Sequence, residues 1–450
     1  MRTGQWVVTL ILIILFFWSA TVHARQVFGS VSDAETGRLL SGVEFYTADD
    51  RSLSDRGGRF VLSTSAERLI ARLPGYRPQQ VEIYPSMQIA LQPFTPKALY
   101  LSFWAADLPR KRQQILDLLE AADFNALVID IKSSRGHIAY PSAIPLAREV
   151  GAQRVRPLKD LEAFLNELKA RGIYTIGRMV VFKDDLLAKN RPELAVHTKD
   201  GQVWQDREQL SWCDPFNQQV QDYNLAVAEE AAQLGFDEVQ FDYIRFPSKS
   251  DLVFSEVAND QSRVAAINSF LSQAKQRLAS YPVFTSANIF GYICWKHRDG
   301  KIGQRLVDLG ERVDYLSPML YPSGFPRGIP GYSNPVQNPY EIIAISLLKA
   351  QQLSGLSEVR FRPWLQAFKD YAFDKRQFRA EEVMAQISAS NEVGSNGWML
   401  WNASSHFRLA DLVEDPKPLE EKPMLAETAA KKGEMSQLSK LETEEQASPL

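Results

Sequence analysis

The chain has 450 residues, 51 basic and 54 acidic side chains, a net charge of −3 and 45% apolar residues. That near-neutral balance argues against nucleic acid as the main partner, since polyanion binding draws its affinity from a Lys and Arg excess. The length is more than one ordinary core holds, so more than one folded part is expected.

Residues 1–24 read as a signal peptide rather than as part of the fold. Arg2 supplies a positive start, Trp6 to Trp18 is an apolar run, and Val22-His23-Ala24 fits a small-residue cleavage site. Cleavage would export the chain to a periplasm or the exterior, and it moves the charge from −3 to −4 because Arg2 is the one charge lost. The alternative is an uncleaved membrane anchor. No other run is long and apolar enough for a stable membrane span.

Residues 25–94 hold short β-like segments, such as Val27–Val31, Val43–Tyr46, Arg59–Leu62, Leu69–Leu73 and Gln80–Ile83. Turn signals at Thr36-Gly37, Asp55-Arg56-Gly57-Gly58 and Pro74-Gly75-Tyr76 separate them, which predicts a small antiparallel all-β sandwich. The order Asp33 to Gly37, Gly42, Asp55 to Phe60 and Gly75-Tyr76 resembles the carboxypeptidase regulatory-like, transthyretin-like sandwich. The resemblance implies an accessory module, either sugar-binding or a spacer.

From residue 95 to 413 apolar runs alternate with helical patterns. Candidate strands cover 98–104, 126–132, 174–182, 238–245, 283–290, 314–321, 361–367 and 397–402. Helical patterns cover Pro109 to Asp123, Pro157 to Gly172, Phe216 to Gly235, Arg263 to Ser280, Pro339 to Ser354 and Ala380 to Gly394. Repeated β-α alternation predicts an α/β fold, a (β/α)8 TIM barrel behind the sandwich. The stretch 183–215 is too long for a simple connection, and such loops tend to be functional. Residues 414–450 are rich in Glu, Lys, Ser and Pro, lack aromatics, and read as a disordered tail. Only Cys213 and Cys294 occur, after different strands, so a disulfide would need two neighbouring loops. With no Cys-x-x-Cys and no His cluster, neither metal nor cofactor is implied.

In a barrel, chemistry is expected at the carboxyl ends of strands. Glu238, Gln240 and Asp242 share one face of the fourth strand and need partners or water. Asp242 reads as a nucleophile or charge stabiliser, or else as an Asp neutralised by Arg245 or Arg178. Asp130 and Lys132 end strand two on a common face, as a substrate-shaping pair or a salt bridge. Arg178 on strand three suits a carboxylate partner. Ser286 and Asn288, Tyr321, Trp364 with Gln366, and Trp401 with Asn402 end the later strands. Trp104, Tyr243, Tyr321, Trp364 and Trp401 are expected to ring the mouth, with Trp204, Trp212 and Trp295 on loops. Rings beside amides and carboxylates suit a sugar, with its apolar C–H faces and hydroxyl rim.

The run Gly235-Phe236-Asp237-Glu238-Val239-Gln240-Phe241-Asp242-Tyr243-Ile244-Arg245-Phe246-Pro247 is the hallmark of a bacterial glycoside-hydrolase-like family of uncharacterised barrel domains. The chain resembles that family over residues 97–405, with further matches at Val128 to Lys132, Phe182 to Asp184, Asp214-Pro215, Ile302-Gly303-Gln304, Ser317 to Ser323, Arg362 to Phe368 and Gly397 to Asn402. The family is similar in outline to α-amylase-like barrels, which implies Asp242 as nucleophile and a general acid at position 288. Two positions depart from the pattern: Asn288 replaces an Asp, and Gly324 replaces a His. A glycosidase needs two carboxyls, about 5 Å apart for retention and roughly 6.5–9.5 Å for inversion. Asp130 and Asp214 are then the candidate acids. Lys132, Arg178, Arg245, Asn288, Tyr321, Trp364, Gln366, Trp401 and Asn402 are candidate sugar contacts. A glycan binder without catalysis and an envelope scaffold stand as alternatives, and oligomeric state is not readable.

Overall fold

The residues that alternate between apolar strand and amphipathic helix build the barrel. A computed structural model describes residues 24–413 of the chain; the expected tail from residue 414 and the expected signal peptide fall outside the described residues. Among the described residues, seven strands come before the barrel: β1 (Arg25–Asp33), β2 (Glu44–Tyr46), β3 (Arg51–Leu53), β4 (Arg59–Thr64), β5 (Arg68–Arg72), β6 (Gln79–Glu82) and β7 (Ser86–Leu91). They form two sheets, ordered β4-β1-β7 and β3-β2-β5-β6, around a core of Val27, Val31, Phe45, Leu62, Leu69 and Ile89. One pair departs from the antiparallel expectation: β7 returns from the second sheet and lies parallel to β1.

The turn motifs are held as their chemistry requires. Asp33 accepts bonds from the N–H of Glu35 and Thr36 (both 2.9 Å) and from the Tyr76 hydroxyl (2.8 Å). Asp55 accepts from the N–H of Gly57 (2.8 Å) and Arg59 (2.9 Å). Gly58 sits at φ 69°, where a Cβ would meet the Val31 carbonyl at 2.7 Å, so only glycine fits.

The barrel strands are β8 (Lys97–Leu101), β9 (Ala126–Lys132), β10 (Tyr174–Val180), β12 (Glu238–Asp242), β14 (Phe284–Phe290), β15 (Tyr315–Met319), β16 (Trp364–Gln366) and β17 (Trp398–Trp401). They close in the order β10-β12-β14-β15-β16-β17-β8-β9, and every pair is parallel. Two short strands, β11 (His197–Thr198) and β13 (Leu252–Val253), pair antiparallel and tie the loop after β10 to the loop after β12. The outer layer carries α1 (Pro109–Ala121), α3 (Leu161–Ala170), α5 (Gln218–Leu234), α6 (Asp260–Arg277), α8 (Pro339–Ser354) and α9 (Ala380–Glu392). Shorter helices α2 (Pro145–Glu149), α4 (Asp185–Asn190) and α7 (Leu306–Gly310) lie in the connections. Among the described residues no helix is long and apolar enough to cross a membrane.

Alternation along each strand divides the core. Leu99, Ile129, Ile131, Val239, Phe241 and Ile289 face outward and pack with Ile115, Leu168, Ala231, Phe270 and Leu347 from the helices. Ala98, Tyr100, Val128, Ile176, Trp364 and Met399 face inward as a second cluster. Burying each Leu, Ile or Phe contributes roughly 1.5–3 kcal/mol.

The two folded parts touch at the end of the barrel opposite the mouth. Arg72 donates to the Val283 carbonyl (2.6 Å), Arg77 to the Gly172 carbonyl (2.9 Å), and the Gly75 N–H to the Tyr315 hydroxyl (2.9 Å). The Arg77 guanidinium also lies 3.8 Å over the Phe94 ring. Glu238, the first residue of β12, is bonded there by Arg362 and by the Tyr174 hydroxyl (3.1 Å). The sandwich therefore closes the floor of the barrel and contributes nothing to its mouth.

Candidate active site

The inward face of β12 carries polar groups at three successive levels. Glu238 forms the floor with Arg362. Gln240 lies above it and donates to Ser317 Oγ (3.4 Å) and Met399 Sδ (3.3 Å). Asp242 is the top level. Its Oδ2 accepts from Arg178 Nε (2.9 Å) and Nη2 (2.6 Å), and its Oδ1 accepts from the Tyr243 N–H (2.6 Å). Tyr243 has φ 50°, a left-handed value costly for an aromatic residue, and this turn aims its N–H at the carboxylate.

The same guanidinium serves a second carboxylate. Arg178 Nη1 donates to Asp130 Oδ1 (2.5 Å). Asp130 Oδ2 in turn accepts from the Tyr100 hydroxyl (2.5 Å) and the Phe103 N–H (3.3 Å). Burial alone would lower the pKa of Arg178, but the Asp130 and Asp242 carboxylates outweigh it and hold the guanidinium well above the usual range. Burial, then Asp130, pushes the Tyr100 hydroxyl well above the ordinary phenol range, so it stays a donor. Trp401 stacks on Tyr100 (centroids 4.0 Å apart) and lies 4.9 Å from the Arg178 guanidinium, and Trp364 meets both rings edge-on.

Asn288 is buried, with Oδ1 accepting from Trp364 Nε1 (2.9 Å). Tyr321 is partly exposed and meets Phe368 edge-on at 5.3 Å; burial first, then Asp242, pushes its hydroxyl well above the phenol range. Arg245 packs beside Trp212 (4.8 Å) and Tyr243 (5.3 Å). Asp130, Arg178, Asp242, Arg245, Asn288, Tyr321, Trp364 and Trp401 thus gather at or just inside the mouth.

Four other expected site residues stand elsewhere. Lys132 does not share a face with Asp130, because the β9–β10 register shifts there: Asp130 pairs with Arg178 but Lys132 with Met179. The bulge turns Lys132 into the wall, where its buried ammonium lies 2.7 Å from Asp184 and donates to the Val180 carbonyl (2.8 Å). Asp214 accepts from the N–H of Phe216 (3.0 Å) and Ser255 (2.6 Å), pinning the 183–215 loop to the segment beyond β12. Gln366 is used up by Ser323, donating to its Oγ (2.7 Å) and accepting from its N–H (3.0 Å). Asn402 donates to the Ala367 carbonyl (2.8 Å) and accepts from Ser404 Oγ (2.8 Å), which shapes the turn after β17. Trp295, expected near the mouth, bonds Ser346 Oγ (3.1 Å) on α8 in the outer wall.

Sequence reasoning missed Tyr100, whose signal was a single phenol in a buried apolar strand, and the exposed Tyr371, stacked in parallel with Phe368 at 6.2 Å. The long loop supplies Lys183, which lies 2.8 Å from both Asp206 and Glu208. Both cysteines are free and buried. Among the described residues no group of three or more His, Cys, Asp or Glu could hold a metal ion. A groove of about 490 Å³, lined by Phe216, Gln221, Glu256 and Ser262, holds none of the mouth groups.

No curated protein sequence matches the chain. Among solved structures, a hypothetical protein from Ruminiclostridium thermocellum ATCC 27405 is 38% identical over 42% of this chain and 96% of its own, with a TM-score of 0.39. The PgaB (BpsB) glycoside hydrolase domain from Bordetella bronchiseptica is 13% identical over 70% of this chain and 95% of its own, with a TM-score of 0.51, and shares the fold. Alpha-L-fucosidase isoenzyme 2 from Paenibacillus thiaminolyticus is 14% identical over 71% and 48%, with a TM-score of 0.48. Residues 98–407 match one family model over more than half of the sequence, and the chain belongs to that family, described as "putative glycosyl hydrolase domain".

Proposed function

We propose that this chain is an exported glycoside hydrolase that acts on a poly- or oligosaccharide at the barrel mouth, with Asp242 as the carboxylate that meets the anomeric carbon. One observation carries the reading: Asp242 is fixed from both sides by Arg178 and the Tyr243 N–H, beside the Tyr100, Trp401 and Tyr321 rings. Its Oδ1 receives a single bond, which leaves it lone-pair capacity. Asp130 accepts from the same Arg178 and also from the Tyr100 hydroxyl and the Phe103 N–H, and we assign it the role of positioning that guanidinium. Export is supported by the charged start and apolar run of residues 1–24. Residues 25–94 serve as the carboxypeptidase regulatory-like accessory module, docked beneath the barrel and remote from substrate.

A second reading, a glycan-binding protein without turnover, is favoured by Asn288. An amide stands where the resemblance implies the acid, and its oxygen is taken by Trp364. The test compares the mature chain and Asp242→Asn on a panel of bacterial and plant polysaccharides. Product release by the wild type that is lost in Asp242→Asn supports the hydrolase. Binding without product from the wild type selects the second reading, and no binding by either protein removes both.

A further inference from the structure

Two basic groups at the mouth are already paired. Arg178 is taken by Asp130 and Asp242, and Lys183 by Asp206 and Glu208. Arg245 has no carboxylate within ion-pair distance among the described residues; its one hydrogen bond there runs from Nη1 to the Phe246 carbonyl (3.1 Å). It is partly exposed, three residues beyond Asp242, in the angle between the Trp212 and Tyr243 rings, whose own centroids are 5.5 Å apart. The rings flank the guanidinium, and within the described residues Nε and Nη2 make no hydrogen bond and are not among the sealed-off polar atoms, so this donor edge is open to a ligand. Asp242 and Asp206 are within electrostatic reach of it, but the oxygens of Asp242 already accept from Arg178 and Tyr243, and Asp206 accepts from Trp212 Nε1 (3.0 Å) and pairs with Lys183. Burial lowers the pKa of Arg245, which marks a charge short of solvation.

We propose that Arg245 forms an anion-recognising subsite, and that the glycan this mouth takes carries a negative substituent, a carboxylate or a sulfate ester, on the sugar next to the one facing Asp242. A planar guanidinium held between two rings presents two parallel N–H donors, a geometry matched by either oxyanion. A neutral hydroxyl satisfies only one of them. The inference rests on the reading of the mouth as a sugar site, but not on turnover there.

The test measures binding of the full chain to matched pairs: polygalacturonate against its methyl ester, and sulfated against desulfated galactan. The wild type is expected to favour one charged member by about tenfold or more, as a charge-assisted pair gives. The preference ratio should collapse toward one in Arg245→Gln, survive in part in Arg245→Lys, and weaken with added salt. Which pair shows the preference separates carboxylate from sulfate. Equal binding of charged and neutral members, a preference unchanged in Arg245→Gln with an unaltered melting temperature, or no binding to any charged glycan overturns the proposal. Charged-glycan binding without product would sink the hydrolase reading and leave this one standing. Cleavage of neutral and charged chains alike would do the reverse.

Discussion

Replacing Arg178 with Met leaves two carboxylates, Asp130 and Asp242, facing one apolar side chain in a nearly dry pocket. The arginine side chain is 7% exposed and donates to Asp130 at 2.5 Å and to Asp242 at 2.6 and 2.9 Å. Breaking a buried ion pair from one side costs about 3–5 kcal/mol at neutral pH. Spread over the unfolding entropy of a barrel this size, that lowers the melting temperature by roughly 5–8 °C. The loss also acquires a pH dependence. Without the cation, each carboxylate disfavours the charge of the other, so the folded variant holds a proton more tightly than its unfolded chain. A group of raised folded-state pKa stabilises at low pH, and that stability is lost as pH rises. The deficit against wild type should therefore shrink as the pH is lowered from 7 to 5. Scanning calorimetry of both proteins across that range measures it, and Asp242→Asn in the Arg178→Met background should flatten the dependence. A gap that is constant with pH, or a cost below about 1 kcal/mol, would refute the account of Arg178 as the clamp between two charges.

Other consequences follow from the floor, the loops and the two departures. Arg362→Met strands Glu238 and removes bonds to Asn396 (2.8 and 2.9 Å), so a loss of about 3–5 kcal/mol is expected in denaturant unfolding, with glycan affinity kept. Reduced affinity at unchanged stability would contradict that. Asp33 is held at about 2 by the Thr36 N–H and the Tyr76 hydroxyl, and Asp370 at about 2, despite burial, by Ser323 and the backbone of Ala372, Lys375 and Phe373. Both are depressed, so their stabilisation is present above about pH 4 and lost as pH falls toward 2. Asp33→Asn and Asp370→Asn should each lose less melting temperature than wild type between pH 5 and 3, and an equal loss would argue against these bonds. Asn288→Asp keeps an acceptor for Trp364 while adding a carboxyl, and at Gly324 a Cβ would meet Tyr321 at 3.6 Å and Tyr371 at 3.9 Å, ordinary contacts that admit a side chain for Gly324→His. The double substitution should raise turnover roughly a hundredfold on a glycan that the wild type binds, and unchanged turnover would show that the proton donor lies elsewhere.

The strands were legible because each signal was local. A buried parallel strand must be apolar on its outer face whatever its neighbours are, so Ala126–Lys132 and Tyr174–Val180 announced themselves, and Gly235 at φ 96° ended α5 where a left-handed cap was expected. The levels of Glu238, Gln240 and Asp242 followed from period-two alternation alone. Lys132 shows where that reasoning stops. One extra residue in β9 reverses the faces beyond it, and a bulge is a property of the pair of strands rather than of either sequence.

The amino-acid order by itself determined eight alternating units, the aromatic wealth of one end, and which carboxylates point inward, because side-chain direction is set residue by residue along a strand. Tertiary structure alone decided that Asp130 and Asp242 share one guanidinium, that Asp214, Gln366 and Asn402 are spent on holding loops, and that Arg245 is left without an acid. Partnership of charges depends on distances of a few ångströms between segments far apart in the chain, 48 positions for Asp130 with Arg178 and 64 for Arg178 with Asp242, and only closure of the barrel sets those distances.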